Sequence, residues 1–314
     1  MEFGNQTAIF EFLLHGLSQW SEHQNLFFGL FLSLYLVTLA GNLLIFLAIV
    51  IETCLHTPMY FFLACLSFAD IGLSSSVVLK MLHNFYTQHH TISHAGCLIQ
   101  LYFTLTFGNL DSLLLGVMAY DRYMAICRPL HYNTAMSPRL CVLLVSACFV
   151  TTNIHSLIHT ILMSKLSFCV CGEISHFFCD ISPLLKVSCS DTHINELTVL
   201  VLGSPVLMFP FLCTLASYIQ IVSAILRIPS GSGGRHKAFS TCGSHLSVVC
   251  LFYGTTSSVY LVPSSSFSKK DIVISVVYTV VTPMLNPFLY SLRNHDMKIA
   301  LRNLIKNRIF KPLL

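Results

Sequence analysis

Two opposite charges stand side by side after a long apolar run, and two further acids lie inside such runs. Asp121 and Arg122 follow the apolar residues 98–120, while Asp70 and Asp111 fall near the middle of apolar runs. A guanidinium is costly at membrane depth, so we expect Arg122 at the water-facing end of its run with Asp121 as partner. Two facing carboxyl groups would share a proton or hold a cation. The plainer alternatives are charges that stop a helix at the headgroups and a neutral packing pair.

A third group of residues, His176, Cys179 and Asp180, offers an imidazole, a thiol and a carboxylate close together. If Cys179 forms a disulfide, its thiolate is unavailable to a metal. We therefore predict no metal site there. The sequence also lacks HExxH, GxSxG and P-loop patterns, so no enzymatic activity is expected.

The apolar runs that carry these residues recur along all 314 residues. Only 10% of the residues are charged, against about 25% in soluble domains. A run of about 20 apolar residues can cross a bilayer, and in lipid it must be helical. Seven such runs occur, at residues 26–51, 58–79, 98–120, 140–163, 197–226, 238–262 and 272–292. The prediction is an all-α protein in a lipid bilayer, with residues 1–314 forming one seven-helix membrane domain.

Basic residues set the expected orientation. Twelve of the 17 Lys and Arg residues fall on the side of the bundle that includes the tail, and residues 1–25 have none. Since cytoplasmic segments carry the excess of Lys and Arg, residues 1–25 are predicted to be extracellular and residues 293–314 cytoplasmic. Asn5 begins a glycosylation sequon on the outer side. The net charge of +4 thus reports membrane topology and predicts no nucleic-acid partner.

The tail predicts one more element. Apolar residues recur there on one helical face, with Lys and Arg elsewhere. This pattern is typical of a short amphipathic helix on the inner leaflet. The apolar positions are Met297, Leu301, Leu304 and Ile305.

Several motifs resemble those of one receptor family. Asp121-Arg122-Tyr123 after an apolar helix is similar to the Asp-Arg-Tyr switch of rhodopsin-like G-protein-coupled receptors. With the following Met124-Ala125-Ile126-Cys127 and Pro129-Leu130-His131-Tyr132, it resembles the olfactory receptor branch. Further motifs, at residues 55–60, 237–246 and 286–290, extend the resemblance from the first span to the last.

The resemblance implies a receptor in the plasma membrane that binds a small volatile odorant. It also implies a heterotrimeric stimulatory G protein, coupled to adenylyl cyclase, as the partner. Asp70 resembles the family's sodium-linked aspartate, so a sodium ion near Asp70 and Asp111 stands beside the shared proton as an alternative. No other cofactor is expected. The implied activation switch consists of Asp121, Arg122, Tyr123, Tyr218, Asn286, Pro287 and Tyr290.

The resemblance also implies two disulfides. One joins Cys97 to Cys179, and the other joins Cys169 to Cys189 within the outer loop. Cys171 is then left over, so it either replaces Cys169 in the second bridge or is a free thiol. Sequence alone does not decide between these pairings.

A ligand pocket is expected among the third, fifth, sixth and seventh spans, mainly on the strength of the resemblance. The seventh span has no lysine for a retinal Schiff base, and the outer half of the third has no acid for an amine. A neutral, mostly apolar ligand follows. The predicted lining residues are Thr104, Leu105, Gly108, Asn109, Ser112, Leu202, Val206, Tyr253, Thr256, Tyr260 and Thr279.

Two other functions compete with an olfactory receptor. One is a rhodopsin-like receptor for a non-odour small molecule. The tissue in which the protein is expressed would distinguish it from an olfactory receptor. The other is a seven-helix transporter with Asp70 and Asp111 as a proton relay. An internal repeat would favour the transporter, and we find none.

Overall fold

Helices make up most of the structure, a computed structural model that describes residues 11–16, 23–168, 172–227, 233–260, 269–291 and 295–304. Seven long helices in this part of the chain form a bundle, and a short eighth follows them. This is the predicted all-α architecture. The helices are α1 Gln24–Ile51, α2 Pro58–Thr87, α3 His94–Cys127, α4 Pro138–Ser164, α5 His193–Leu226, α6 Gly233–Tyr260, α7 (Lys269–Val276, Val277–Val281 and Thr282–Ser291) and α8 His295–Leu304.

Most of these helices are suited to a membrane. Six of the described helices are long and apolar enough to cross a bilayer, and α6 is not among them. The first half of α6 contains many Ser, Thr, Gly and His residues, which lower its hydropathy. Its second half nevertheless supplies Val248, Val249 and Phe252 to the main apolar core, so α6 belongs to the bundle.

Two helices continue well past their apolar runs. Helix α2 was predicted to end at residue 79 and ends at Thr87, while α3 was predicted to end at residue 120 and ends at Cys127. Hydropathy marks the apolar part of a helix, whereas a helix ends where its backbone is interrupted. Here Gln88 turns into the left-handed region, and Pro129 disfavours helix at the residue before it. Asp121 and Arg122 therefore lie inside α3.

Helices α5 and α7 each contain a π-helical turn just before a proline. The turns are Val199–Gly203 and Val277–Val281, and Pro205 and Pro283 follow them. A proline has no N–H for the carbonyl four residues earlier, so the helical ladder is interrupted there. A π turn contains one more residue than an α-helical turn, so the side chains that follow it point in different directions than in a regular α-helix. Both turns border the cavity described below.

The prolines of α7 leave two carbonyls without an N–H partner in the helix, and polar side chains from neighbouring helices donate to them. Pro283 cannot pair with the Thr279 carbonyl, and Ser74 Oγ donates to that oxygen over 3.2 Å. Pro287 cannot pair with the Pro283 carbonyl, and Asn42 Nδ2 donates to it over 3.0 Å. Because each donor comes from α1 or α2, these bonds also fix α7 against those helices.

Helix α3 lies at the centre of the bundle. It packs against α2, α4 and α5 and also contacts α6. Gly116 allows the approach of α5, because a Cβ there would lie 2.9 Å from the Pro210 side chain. Helix α3 therefore contacts four of the other long helices.

A small sheet and a disulfide close one end of the bundle, which we call the disulfide end. The sheet, which the all-α prediction did not include, has the order β2-β1-β3, with β1 antiparallel to β2 and parallel to β3. Cys97 at the start of α3 is bonded to Cys179, as predicted. The strands are β1 Glu11–Leu14, β2 Thr91–Ser93 and β3 Glu173–Ile174.

Helix α8 lies at the opposite end, which we call the Arg122 end. It packs against α1 and the turn Thr53–Leu55. Met297, Ala300 and Leu304 are buried, so α8 is amphipathic as predicted. Leu301 is only half-buried, and Ile305 lies outside the described residues.

Candidate functional site

A cavity of about 110 Å³ lies inside the half of the bundle nearer the disulfide. Helices α3 to α7 all contribute to its wall. Most of the wall is apolar, with a few polar side chains. The lining residues are Leu105, Gly108, Asn109, His155, His159, Ile181, Val199, Gly203, Ser204, Leu207, Met208, Phe252, Thr256 and Tyr278.

Four of the predicted pocket residues line this cavity, namely Leu105, Gly108, Asn109 and Thr256. Gly108 is needed there because a side chain at this position would collide with the Tyr278 hydroxyl. Thr104 is directed elsewhere, since its hydroxyl lies 3.1 Å from Ser76 Oγ on α2. The Tyr260 side chain lies outside the part of the chain that the structure describes.

Three other predicted residues, Leu202, Val206 and Thr279, are absent from the cavity wall. Leu202 is 38% exposed on the outside of α5. In place of Leu202 and Val206, the wall uses Gly203 and Leu207, each one position further along the chain. In α7 the wall uses Tyr278, and the neighbouring Thr279 donates its hydroxyl to Ser275 over 2.8 Å. These three residues were predicted mainly from the resemblance, and in each case the wall uses the residue next to the predicted one.

Two histidines of α4 line the cavity and were not predicted. His155 and His159 are buried, and their ring centroids are 4.4 Å apart. Residues four apart share one face of a helix, so two histidines at this spacing in an apolar span were a usable signal. The prediction missed them because it took no lining residue from the fourth span.

Tyr253 connects α6 to α3 at the level of Ser112. Its hydroxyl donates to the Ser112 carbonyl over 2.9 Å and lies 3.2 Å from Ser112 Oγ. Its ring also packs against Phe211 of α5, with centroids 5.1 Å apart. Neither Tyr253 nor Ser112 lines the cavity, but Phe252 and Thr256 on the same helix do. A change in the cavity wall can therefore reach this contact through α6.

A buried polar cluster joins α2, α3 and α7. Asn286 Nδ2 donates to both carboxyl oxygens of Asp70, each over 2.9 Å. Asp111 interacts electrostatically with Asp70, and both carboxyl groups are almost fully buried. Asp111 Oδ1 has no hydrogen-bond partner among the described residues. The two predicted acids are thus brought together, with an amide holding one of them.

The ion pair that we expected at the Arg122 end is absent from the described residues. Asp121 accepts a hydrogen bond from the Tyr132 hydroxyl over 2.8 Å. The Arg122 guanidinium instead contacts the sulfur of Met59 at the start of α2. The expectation rested on adjacency in the sequence, but each of the two side chains has another partner in this structure. Tyr123, the third residue of the motif, is half-buried and packs against apolar side chains.

The remaining predicted switch residues lie close by. The Tyr218 hydroxyl is 2.6 Å from His245 Nδ1, which joins α5 to α6. The Tyr290 hydroxyl is buried without a hydrogen-bond partner among the described residues. Pro287 packs against Gly41 of α1, where a Cβ would lie 3.0 Å from the proline ring. Tyr218 and Tyr290 interact electrostatically with Arg122, and no hydrogen bond joins either of them to it among the described residues.

The disulfide end contains no metal site in the described residues. No group of three or more metal-ligating side chains occurs there or elsewhere in the part described. Cys179 is in the disulfide, and Asp180 Oδ1 accepts from the Ile181 N–H over 2.8 Å. His176 Nε2 lies 3.2 Å from Ser275 Oγ, and burial lowers the pKa of His176 to about 3.

Two predictions at this end fall wholly or partly outside the described residues. The glycosylation sequon at Asn5 is one of them. Cys189 is disulfide-bonded, but Cys169 and Cys171, the two candidate partners, both lie outside the described residues. The choice between these two cysteines therefore stays open.

A larger cavity of about 1010 Å³ lies on the outside of the bundle between α1, α2 and α4. Exposed apolar side chains such as Phe46, Phe68 and Phe149 form its wall. It does not reach the polar clusters described above. We therefore treat the smaller internal cavity as the candidate ligand site.

The seven-helix bundle, with an internal cavity and polar clusters leading to an arginine at the other end, has the architecture of a G-protein-coupled receptor. A sequence model of the olfactory receptor family matches residues 31–308. Human Olfactory receptor 1N1 is 62% identical over 97% of this chain and 98% of its own length. Rat Olfactory receptor 1468 is 57% identical over 97% and 98% of the two chains.

The chain belongs to the olfactory receptor family of rhodopsin-like G-protein-coupled receptors. It is therefore a multi-pass protein of the plasma membrane and not an enzyme. Gorilla Olfactory receptor 1G1, 58% identical over 97% of both chains, agrees with this assignment. Odorants and G proteins are the general partners of such a receptor.

Proposed function

We propose that a small, neutral, mostly apolar odorant binds in the internal cavity and that the receptor then activates a stimulatory G protein. The size and lining of the cavity carry this proposal. A protein cavity of about 150 Å³ binds benzene, so about 110 Å³ suits a compact ligand. A larger odorant requires movement of flexible side chains such as Leu105 and Met208. Affinity then comes from apolar burial and a few hydrogen bonds.

We also propose that the disulfide end faces the outside of the cell and the Arg122 end the cytosol. Twelve of the 17 basic residues favour this orientation. The Cys97–Cys179 disulfide supports it, because disulfides persist in the oxidising extracellular space. In this orientation Asn5 is available for glycosylation, and the cavity opens toward odorants.

The ligand acts through helix positions between the cavity and Arg122. Phe252 and Thr256 contact the cavity, and Tyr253 between them is bonded to α3. At the other end, the bond between Tyr218 and His245 joins α5 to α6. An odorant that binds better when α6 has moved outward shifts the population toward that state. Arg122, which no carboxylate holds among the described residues, is then available to the G protein.

The cluster of Asp70, Asp111 and Asn286 is the proposed ion or proton site. Two buried acids in electrostatic contact favour either a shared proton or a bound sodium ion. Sodium would raise the melting temperature of the purified receptor relative to choline, and Asp70→Asn would remove the difference. Equal melting temperatures in both salts would contradict a bound sodium ion and favour a proton shared by the two acids.

The decisive experiment compares Arg122→Ala with Arg128→Ala in cells that carry a cyclic-AMP reporter. Arg122 is half-buried at the cytosolic end of α3, whereas Arg128 is exposed just beyond it. We expect Arg122→Ala to abolish the odorant response at normal surface expression and Arg128→Ala to preserve it. A retained response in Arg122→Ala would contradict the proposed switch.

A further inference from the structure

Two imidazole nitrogens in the cavity wall lack hydrogen-bond partners. His155 is 7% exposed and His159 is 2% exposed, and both line the cavity. The Nε2 atom of each ring is buried with no partner in the part of the chain that the structure describes. Buried polar atoms are normally hydrogen-bonded, so an unpartnered pair beside a cavity indicates that a ligand supplies the missing bond.

Asn109 determines which hydrogen-bonding role His155 plays. Its side-chain nitrogen lies 3.0 Å from His155 Nδ1. An amide nitrogen can only donate, so Nδ1 accepts. In a neutral imidazole the proton is then on Nε2, which makes Nε2 a donor. This Nε2 lies close to Gly203, another residue of the cavity wall, at 3.9 Å from the position of a Cβ there.

The other polar groups of the wall do not offer this donor an acceptor. Among the described residues, His155 Nε2 makes no hydrogen bond to Ser204, Thr256 or Tyr278 of the cavity wall. The rest of the wall is largely apolar. A ligand without an oxygen would displace water from the N–H and give nothing in return, whereas a ligand oxygen would restore the bond.

We propose that the His155 Nε2–H selects small odorants that carry a hydrogen-bond acceptor, above all a carbonyl oxygen, over hydrocarbons of the same shape. Asn109 is the positioning residue that keeps the proton on Nε2. His159, whose ring is 4.4 Å from that of His155, places a second polar atom beside the same oxygen. This inference rests on the proposed function, because it assumes that the odorant occupies the internal cavity.

Two molecules that differ only by an oxygen in place of a CH2 group test the selection. Cyclohexanone and methylenecyclohexane have nearly the same shape, but only the ketone accepts a hydrogen bond. We expect the ketone to be about tenfold more potent in the cyclic-AMP assay, which is the usual effect of one such bond. It should also stabilise the purified receptor against heat more than the alkene does.

Three variants assign the effect to His155. His155→Leu should remove the preference for the ketone, while His155→Gln should keep it because the glutamine amide donates from nearly the same position. Asn109→Leu removes the amide donor that keeps the proton on Nε2, so Nε2 is then protonated in only part of the population. The preference for the ketone should weaken in this variant without disappearing. Surface expression and thermal unfolding identify any variant that misfolds.

The proposal is overturned if the two molecules are equally potent on the wild type, if neither binds, or if His155→Leu keeps the preference. The proposed function is judged separately. A response to any other odorant that disappears in Arg122→Ala would leave that function standing even when the carbonyl selection fails.

Discussion

The hydrogen bond from Tyr132 to Asp121 gives the sharpest test of the proposed switch at the Arg122 end. The hydroxyl donates to the carboxylate over 2.8 Å, and Asp121 is 1% exposed. Burial and the negative charge of Asp121 raise the pKa of Tyr132, so its hydroxyl remains a donor at physiological pH. Tyr132→Phe removes this donor and keeps the ring, which makes it a minimal perturbation.

The magnitude follows from the kind of bond that is lost. A hydrogen bond to a charged group is worth about 1.5–3 kcal/mol, or roughly ten- to hundredfold in an equilibrium. Without Tyr132, the buried carboxylate finds its nearest compensating charge in the neighbouring Arg122 guanidinium. Arg122 held in this way is less available to the G protein. We therefore expect agonist potency to fall about tenfold, the lower end of that range.

Cyclic-AMP dose–response curves at matched surface expression measure the effect. Tyr120→Phe is the control, because Tyr120 lies next to Asp121 on α3 but is exposed and should tolerate the change. Adding Asp121→Asn to Tyr132→Phe removes the charge that captures Arg122, so potency should recover. Unchanged potency in Tyr132→Phe, or no recovery in the double variant, would refute this reasoning.

Two further predictions concern stability. Asn286→Ala leaves the Asp70 carboxyl without its donor and should cost about 1–3 kcal/mol of unfolding free energy, with a smaller loss when Asp70→Asn is already present. Thermal unfolding of the purified receptor measures this, and equal losses in both backgrounds would contradict it. His176 has a folded pKa of about 3, below its unfolded value of roughly 6.5, mainly through burial and against the charge of Asp271. The unfolded chain then binds the proton more readily, so stability should fall by up to about 1.4 kcal/mol per pH unit between those values. The wild type should lose this stability between pH 6 and pH 4, and a His176→Gln variant with the same pH slope would count against the assignment.

The number and order of the long helices could be predicted because lipid permits few alternatives. An apolar run of sufficient length must be helical there, whatever its detailed sequence. Helix ends were less accessible. The run before Asp121 ends at Tyr120, but the helix continues to Cys127, since nothing interrupts the backbone until Pro129. The prediction therefore ended the helix at least one full turn too early and placed Asp121 at its end.

The cavity wall shows a subtler limit. Asn109 and Thr256 lie on regular helical segments, where period 3.6 assigns the facing of each residue. Leu202 lies within a π turn, and the wall uses Gly203 instead. The prolines of α5 indicate an irregular helix, but they do not indicate which residues form the π turn. His155 and His159 were missed for a different reason, because no lining residue was taken from the fourth span, although their spacing was a usable signal. The contact between His155 and Asn109 could not be read from any local pattern.

Hydrogen-bond partners across helices were the least predictable feature. Asn286 donates directly to Asp70, and Asn42 from α1 binds the Pro283 carbonyl that Pro287 leaves unpaired. Both amides can make either bond, and only the packing of α1, α2 and α7 decides which one forms.

Ligand binding in the internal cavity is tested most directly by adding one methyl group to it. In Gly108→Ala the new Cβ would collide with the Tyr278 hydroxyl in the cavity wall, whereas in Gly254→Ala it would meet nothing within 4 Å. The two substitutions are otherwise alike, since both replace a glycine within a long helix. We expect dose–response curves at equal surface expression to show at least about a tenfold loss of odorant potency in Gly108→Ala and none in Gly254→Ala. Equal potencies in the two variants would contradict binding in this cavity.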